Sequence, residues 1–188
     1  MQIKKQISME NVIIKERPKA ITPDQKEAYI SEFAQEIKDE GFTNSPIKFI
    51  KEDLENQDIN DDGYSIAKKL ESNGKGIYKF NSMFVEFLDS FSDGINDIIK
   101  ENVKKWVKEN NIKPKFNNKQ RLKVITKLSF DLPTDSIIYI YLVNEEHAYY
   151  VINQDINDEG GYVISYEKIE ANCELLKSFK DNHVTPAK

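Results

Sequence analysis

Apolar residues recur at helical spacing through much of the first two thirds of the chain, then change to alternation. The clearest helical run is Phe84, Phe87, Leu88, Phe91, Ile95, Ile98, Ile99, Trp106 and Val107, which keep to one stripe of a 3.6-residue period. Gly94 weakens its middle, so two abutting helices are an alternative to one, and Pro114 ends the element. A first helix is predicted from Thr22-Pro23-Asp24-Gln25. Threonine can cap it, proline suits the first helical position, and Gln25 can complete a capping box. Ile30, Phe33, Ala34 and Ile37 form its stripe, and Gly41 is placed to stop it. Between the two helices the pattern is irregular and acidic, apart from a short helix over Tyr64–Glu71 and a turn at Asn73-Gly74-Lys75-Gly76. Residues 2–16 alternate loosely through Ile3, Ile7, Val12 and Ile14, as a strand or hairpin would, until Pro18 interrupts.

From Leu122 the period shortens to two. Strands are predicted at Leu122–Phe130, Ser136–Val143, His147–Asn153 and Tyr162–Tyr166. Pro133 and the Val143-Asn144-Glu145-Glu146 corner separate the first three. A closing helix is predicted from Glu167 to about Lys180, packing through Ile169, Cys173 and Leu176. Helices first and an antiparallel meander afterwards favour an α+β fold, with N-terminal helices packed on a C-terminal sheet of about four strands. No linker divides the chain, so a single globular domain over 1–188 is expected, helix-rich over 17–113 and sheet plus helix over 120–182.

The second strand is apolar on both faces. Alternation assigns Ile138, Ile140 and Leu142 to one side and Ile137, Tyr139, Tyr141 and Val143 to the other. Such a strand is expected at the centre of a sheet, with helices over at least one face. Tyr149, Tyr150, Tyr162 and Tyr166 come from neighbouring strands. Tyrosines at the margin of a core would explain the set. The functional alternative is a binding face that includes Tyr139 and Tyr141, because Tyr buries much area at little rotamer entropy.

Composition narrows the classes. Ten Phe and nine Tyr in 188 residues exclude general disorder. Arg17 and Arg121 are the only arginines, which disfavours bidentate recognition of phosphate or carboxylate. A single Cys173 excludes an internal disulfide framework and a cysteine-based zinc cluster. No stretch reaches the roughly 20 apolar residues that span a bilayer, and Met1-Gln2-Ile3-Lys4-Lys5-Gln6 lacks the apolar run of a signal peptide. A soluble cytoplasmic protein with no membrane partner is expected.

The net charge of −5 hides a segregation. Residues 24–62 carry 12 acidic and 4 basic side chains, whereas residues 100–127 carry 10 basic and 2 acidic ones. Solvated helix faces would account for this; so would steering of an oppositely charged macromolecule. The basic stretch Lys113–Arg121 contains one aromatic, Phe116, and lacks the stacking platform of a single-strand binder. Overall acidity also opposes phosphate binding, so nucleic acid is not the expected partner.

One acidic phrase occurs twice. Gln57-Asp58-Ile59-Asn60-Asp61-Asp62-Gly63-Tyr64 recurs as Gln154-Asp155-Ile156-Asn157-Asp158-Glu159-Gly160-Gly161-Tyr162. A calcium loop needs oxygens at positions 1, 3 and 5, glycine at 6 and a bidentate glutamate at 12. Asp58, Asn60, Asp62 and Gly63 fit the first copy, as do Asp155, Asn157, Glu159 and Gly160 the second. Position 12 is then Lys69 in one and Tyr166 in the other, so both lack the closing ligand and no cofactor is expected. Turns account for both phrases, the second as a hairpin loop between Tyr150-Val151-Ile152 and Tyr162-Val163-Ile164. Exposed acidic loops facing a lysine-rich protein are the remaining use, through Asp58, Asp61, Asp62, Asp155, Asp158 and Glu159.

Catalytic groups are sparse. Cys173 with His147 or His183 is the only thiol–imidazole combination, and Cys173 falls on the apolar side of its predicted helix, where a thiol is inert. No phosphate-binding glycine loop, metalloprotease histidine pair or serine elbow is present. The expectation is a non-enzyme: a small acidic protein-binding module, most concretely an immunity- or antitoxin-type inhibitor that masks a basic toxin or enzyme. The alternatives are a cation- or ligand-binding regulatory domain using the acidic loops, and a hydrolase built on paired carboxylates.

Overall fold

A computed structural model describes residues 16–58, 61–128, 132–154 and 161–176. The strand or hairpin expected at residues 2–16 lies outside the described residues, except for Glu16. Among the described residues five helices precede or interrupt a five-stranded antiparallel sheet, which is an α+β fold. The chain divides into two compact units, Met1–Val103 and Lys104–Lys188.

The first unit is helical. Its opening helix, α1 (Pro23–Asp39), carries the full capping box: the Thr22 hydroxyl accepts from the Gln25 amide, and the Gln25 side chain accepts from the Thr22 amide. Gly41 takes φ 73°, the left-handed conformation that ends helices. The Phe42 amide then returns to the Ile37 carbonyl at 3.2 Å. The irregular stretch expected next contains a second helix, α2 (Ile47–Glu55), which buries Ile50, Asp53 and Leu54. Its N-terminus at Pro46 has no side-chain cap, so the usual start signal is missing from the sequence.

Next come α3 (Gly63–Asn73) and α4 (Ser82–Glu109). α4 is one continuous helix whose last turns, from Lys104, belong to the second unit. Gly94 does not break it. A Cβ there would stand 2.3 Å from the Tyr29 hydroxyl, so glycine is what lets the ring lie against the helix. That hydroxyl donates to the Phe91 carbonyl at 3.0 Å. Four helices thus enclose a core rich in aromatics: Phe33 stacks near Phe87 and edge-on to Phe91, and Phe42 and Tyr78 flank Phe84.

In the second unit β1 (Arg121–Val124), β2 (Ile137–Asn144), β3 (Tyr149–Asn153) and β4 (Tyr162–Ser165) form the predicted meander. A fifth strand, β5 (Cys173–Leu175), completes the order β4-β3-β2-β1-β5. The closing helix is correspondingly shorter than expected: α5 covers Tyr166–Asn172 only. Beyond it the chain pairs antiparallel with β1, Val124 opposite Cys173 and Leu122 opposite Leu175. The Asn172 carbonyl accepts from the Ile125 and Thr126 amides. Without this segment β1 would be a bare edge, and satisfying its backbone groups outweighs prolonging the helix. One sheet face is buried through Leu122, Val124, Ile138, Ile140, Tyr150 and Ile152.

Cys173 is buried as expected, though at the start of a strand and not within a helix. Burial pushes its thiol up from 9.0 to about 11. Because the fold holds the proton, this contribution to stability is complete below about pH 9 and is lost as pH rises towards 11. The native chain should therefore resist a thiol-specific reagent at pH 8 and react fully in denaturant. Fast native labelling at pH 8 would contradict the burial.

Candidate protein-binding surface

The second face of the sheet is open. On β2, Ile137, Tyr141 and Leu142 are exposed and Tyr139 is half-buried. The edge strand β4 adds Val163, 66% exposed like Tyr141. Simple alternation had Leu142 inward with Ile138 and Ile140, and Val143 outward. The ladder passes instead from Ile140 opposite Ile152 directly to Leu142 opposite Val151, leaving Tyr141 as an extra residue. That bulge reverses the alternation, turns Leu142 out, and presents Tyr141 at the kink. The strand is central, as expected, but it is not buried on both sides.

A hollow of about 430 Å³ opens beside the bulge, lined by Lys119, Tyr139, Ile140, Tyr141 and Asn153. Lys119 reaches it from a left-handed backbone position, φ 66°, with its amide bonded to the Ile140 carbonyl at 2.7 Å. Neighbouring cations have contacts of their own. The Arg121 guanidinium lies 5.4 Å from the Tyr139 ring centroid, and Lys123 pairs with Asp135 at 2.7 Å. Tyr150 of β3 and Tyr166 of α5 serve the core, whereas Tyr162 on β4 is exposed. Tyr150 is fully buried, its hydroxyl donating to Glu170 at 2.8 Å and accepting from the Phe116 amide. Tyr166 packs on it with ring centroids 4.4 Å apart, and burial raises its phenol to about 12.

The first acidic phrase is used locally. Asp62 caps α3, accepting from the Ser65 amide at 2.7 Å, and Ser65, through its hydroxyl first and its amide second, holds the carboxyl below its ordinary value. Asp61 accepts from the Asp58 amide and forms an ion pair with Lys69. Lys69 stands where a calcium loop would place its closing carboxylate, and its ammonium supplies the loop's positive charge. Gly63 serves packing: a Cβ there would meet the Val85 carbonyl at 2.1 Å, so α3 starts directly against α4. Asp58 and Asp62 are exposed and Asp61 half-exposed. Asn60 of this copy, and Asp155, Asn157, Asp158 and Glu159 of the second, lie outside the described residues. Among the described residues no group of three or more His, Cys, Asp or Glu side chains is placed to hold a metal ion.

Carboxylates that sequence reasoning did not single out form a field on the first unit. Glu32 and Glu36 of α1 and Asp93 and Asp97 of α4 are all exposed around Tyr29. Burial first, then the negative charge of Glu36, Asp93, Glu32 and Asp97, holds the Tyr29 phenol far above its ordinary value. Asp97 pairs with Lys100; among the described residues no ion pair reaches Glu32, Glu36 or Asp93. Their spacing along two separate helices gave no single motif to find.

His147 sits in the turn between β2 and β3, its ring Nδ1 3.3 Å from the Asn144 Oδ1, and does not open a strand. The chain matches no protein-family model, no curated protein and no solved structure.

Proposed function

We propose that this chain is a protein-binding module without chemistry of its own, most concretely an immunity- or antitoxin-type inhibitor that covers a basic partner. The observation that carries the reading is the open sheet face, where Ile137, Tyr141, Leu142 and Val163 stand exposed on a five-stranded ladder. Exposed apolar area of this kind marks interaction sites, and Tyr anchors are frequent in them. Charge supplies the sign of the partner. On β1 itself Lys123 is paired with Asp135 and Arg121 lies over the Tyr139 ring, whereas among the described residues no ion pair reaches Glu32, Glu36 or Asp93 on the helices. Unmatched surface carboxylates accelerate encounter with a basic protein and make it sensitive to salt.

The test compares captures from source-cell lysate at low salt, nuclease-treated, by the wild type, by Tyr141→Asp and by a Glu32→Gln, Glu36→Gln, Asp93→Asn variant. A basic protein retained by the wild type and lost on Tyr141→Asp is the expected result. The neutralised variant should retain it with an association rate lower by roughly tenfold and less dependent on salt. Equal capture by all three would remove both the face and the charge from the reading. A melting shift on adding calcium, and no captured protein, would favour the cation- or ligand-binding alternative that uses the acidic loops.

A further inference from the structure

A buried carboxylate in the first unit holds an exposed isoleucine in place. Asp53, 6% exposed on α2, forms no ion pair among the described residues. Its Oδ1 accepts from the Lys75 amide at 2.7 Å, and its Oδ2 accepts from the Gly76 amide at 2.8 Å and the Tyr78 hydroxyl at 2.6 Å. Between Gly76 and Tyr78 lies Ile77, whose backbone is fixed on both sides. Its amide donates to the Ser45 hydroxyl at 2.8 Å, and its carbonyl accepts from the Thr43 hydroxyl at 2.5 Å. The Lys79 amide then closes onto the Phe42 carbonyl at 2.8 Å. All this order serves a side chain that is 84% exposed.

Beside Ile77 is a hollow of about 480 Å³ whose lining includes Ser45, Pro46, Phe49, Lys75 and Lys79. Its walls are apolar with hydroxyls, and both charged lining residues are cations. Lys75 is neutralised by Glu52 at 2.6 Å. The Lys79 ammonium donates to the Gly41 carbonyl at 2.9 Å and meets no carboxylate among the described residues.

We infer that the Ile77 loop and its hollow are a preformed docking site for a partner-protein segment that carries a large apolar residue next to a carboxylate. Fixing an apolar anchor before binding removes the ordering cost that usually weakens a loop contact. An apolar side chain fits between Phe49 and Ile77, and a carboxylate answers Lys79. A second copy of this chain is a poorer occupant, because a two-fold contact centred on this site brings the Lys79 ammonium groups of both copies into one interface. The site lies in the first unit and stands independently of the sheet face.

The experiment selects from a random peptide display library on the full chain, with Ile77→Ser as counter-selection and Lys79→Glu as a third target. Ile77→Ser should melt as the wild type does, since the side chain it alters is exposed. The expected peptides pair Leu, Ile, Met or Phe with a neighbouring Asp or Glu, bind Ile77→Ser roughly tenfold or more weakly, and also weaken on Lys79→Glu. Enriched peptides that are basic, or none that separates wild type from Ile77→Ser, would overturn the proposal. So would a dimer in sedimentation that Ile77→Ser dissolves.

Discussion

Asp53→Ala is expected to lower the stability of the first unit by about 3–4 kcal/mol, as unsatisfied buried donors each cost on the order of 1–3 kcal/mol. The change removes one side chain but strands three donors: the Lys75 and Gly76 amides and the Tyr78 hydroxyl. Water entering from the adjacent hollow can satisfy some of them, which sets the upper limit. Asp53→Asn keeps the shape and one acceptor oxygen, and should cost about half as much. Tyr78 adds a second readout. Burial, then its bond to Asp53, holds its phenol far above the ordinary value. Removing the carboxylate should bring the Tyr78 titration down even where the variant stays folded. Urea unfolding followed by circular dichroism measures the first effect and ultraviolet titration the second. A loss below 1 kcal/mol would mean that the loop is not held by Asp53.

Gly63→Ala should cost about 2–3 kcal/mol, the upper part of the range for overpacking. The added carbon would sit 2.1 Å from the Val85 carbonyl and 2.7 Å from the Asp89 amide, both backbone atoms of α4 that cannot rotate away. The Gly63 amide also donates to the Asp89 carboxylate, so separating the helices to relieve the clash breaks that bond. Gly94→Ala meets the Tyr29 ring, a side chain, and should cost less. Hydrogen exchange at the start of α3 would separate the cases: protection there should fall for Gly63→Ala and persist for Gly94→Ala. Equal stabilities would contradict the backbone contact.

Sequence patterns reached the parts of the fold that follow local rules. The capping box before α1, the stop at Gly41 and the periodic stripe of α4 depend on neighbours within a turn or two, and alternation located four of the strands. β5 depends on the free edge of β1, some fifty positions away in the chain, and no local signal announces it. α2 was hidden because Pro46 offers no capping side chain. For the candidate surfaces the division is similar. Tyr139 and Tyr141 were visible as an aromatic-rich strand, but the reversal at Leu142 required the ladder itself. Asp53 read as one acid among twelve in its segment. Only the fold shows that its oxygens face three donors more than twenty residues downstream. The repeated acidic phrase drew attention because it repeats; in its first copy two of the three aspartates act within a few residues of their own positions.

The bulge at Tyr141 also makes that residue separable from the architecture. Ladder partners on either side of it, Ile140 with Ile152 and Leu142 with Val151, are consecutive on the opposite strand. A chain lacking one codon at this point would join Ile140 directly to Leu142 and keep every other side chain on its present face. The aromatic most exposed on the sheet is thus the one residue of the central strand that pairing does not require. A lineage could gain or lose it in a single in-frame step, changing what the surface grips while leaving the register of the sheet untouched.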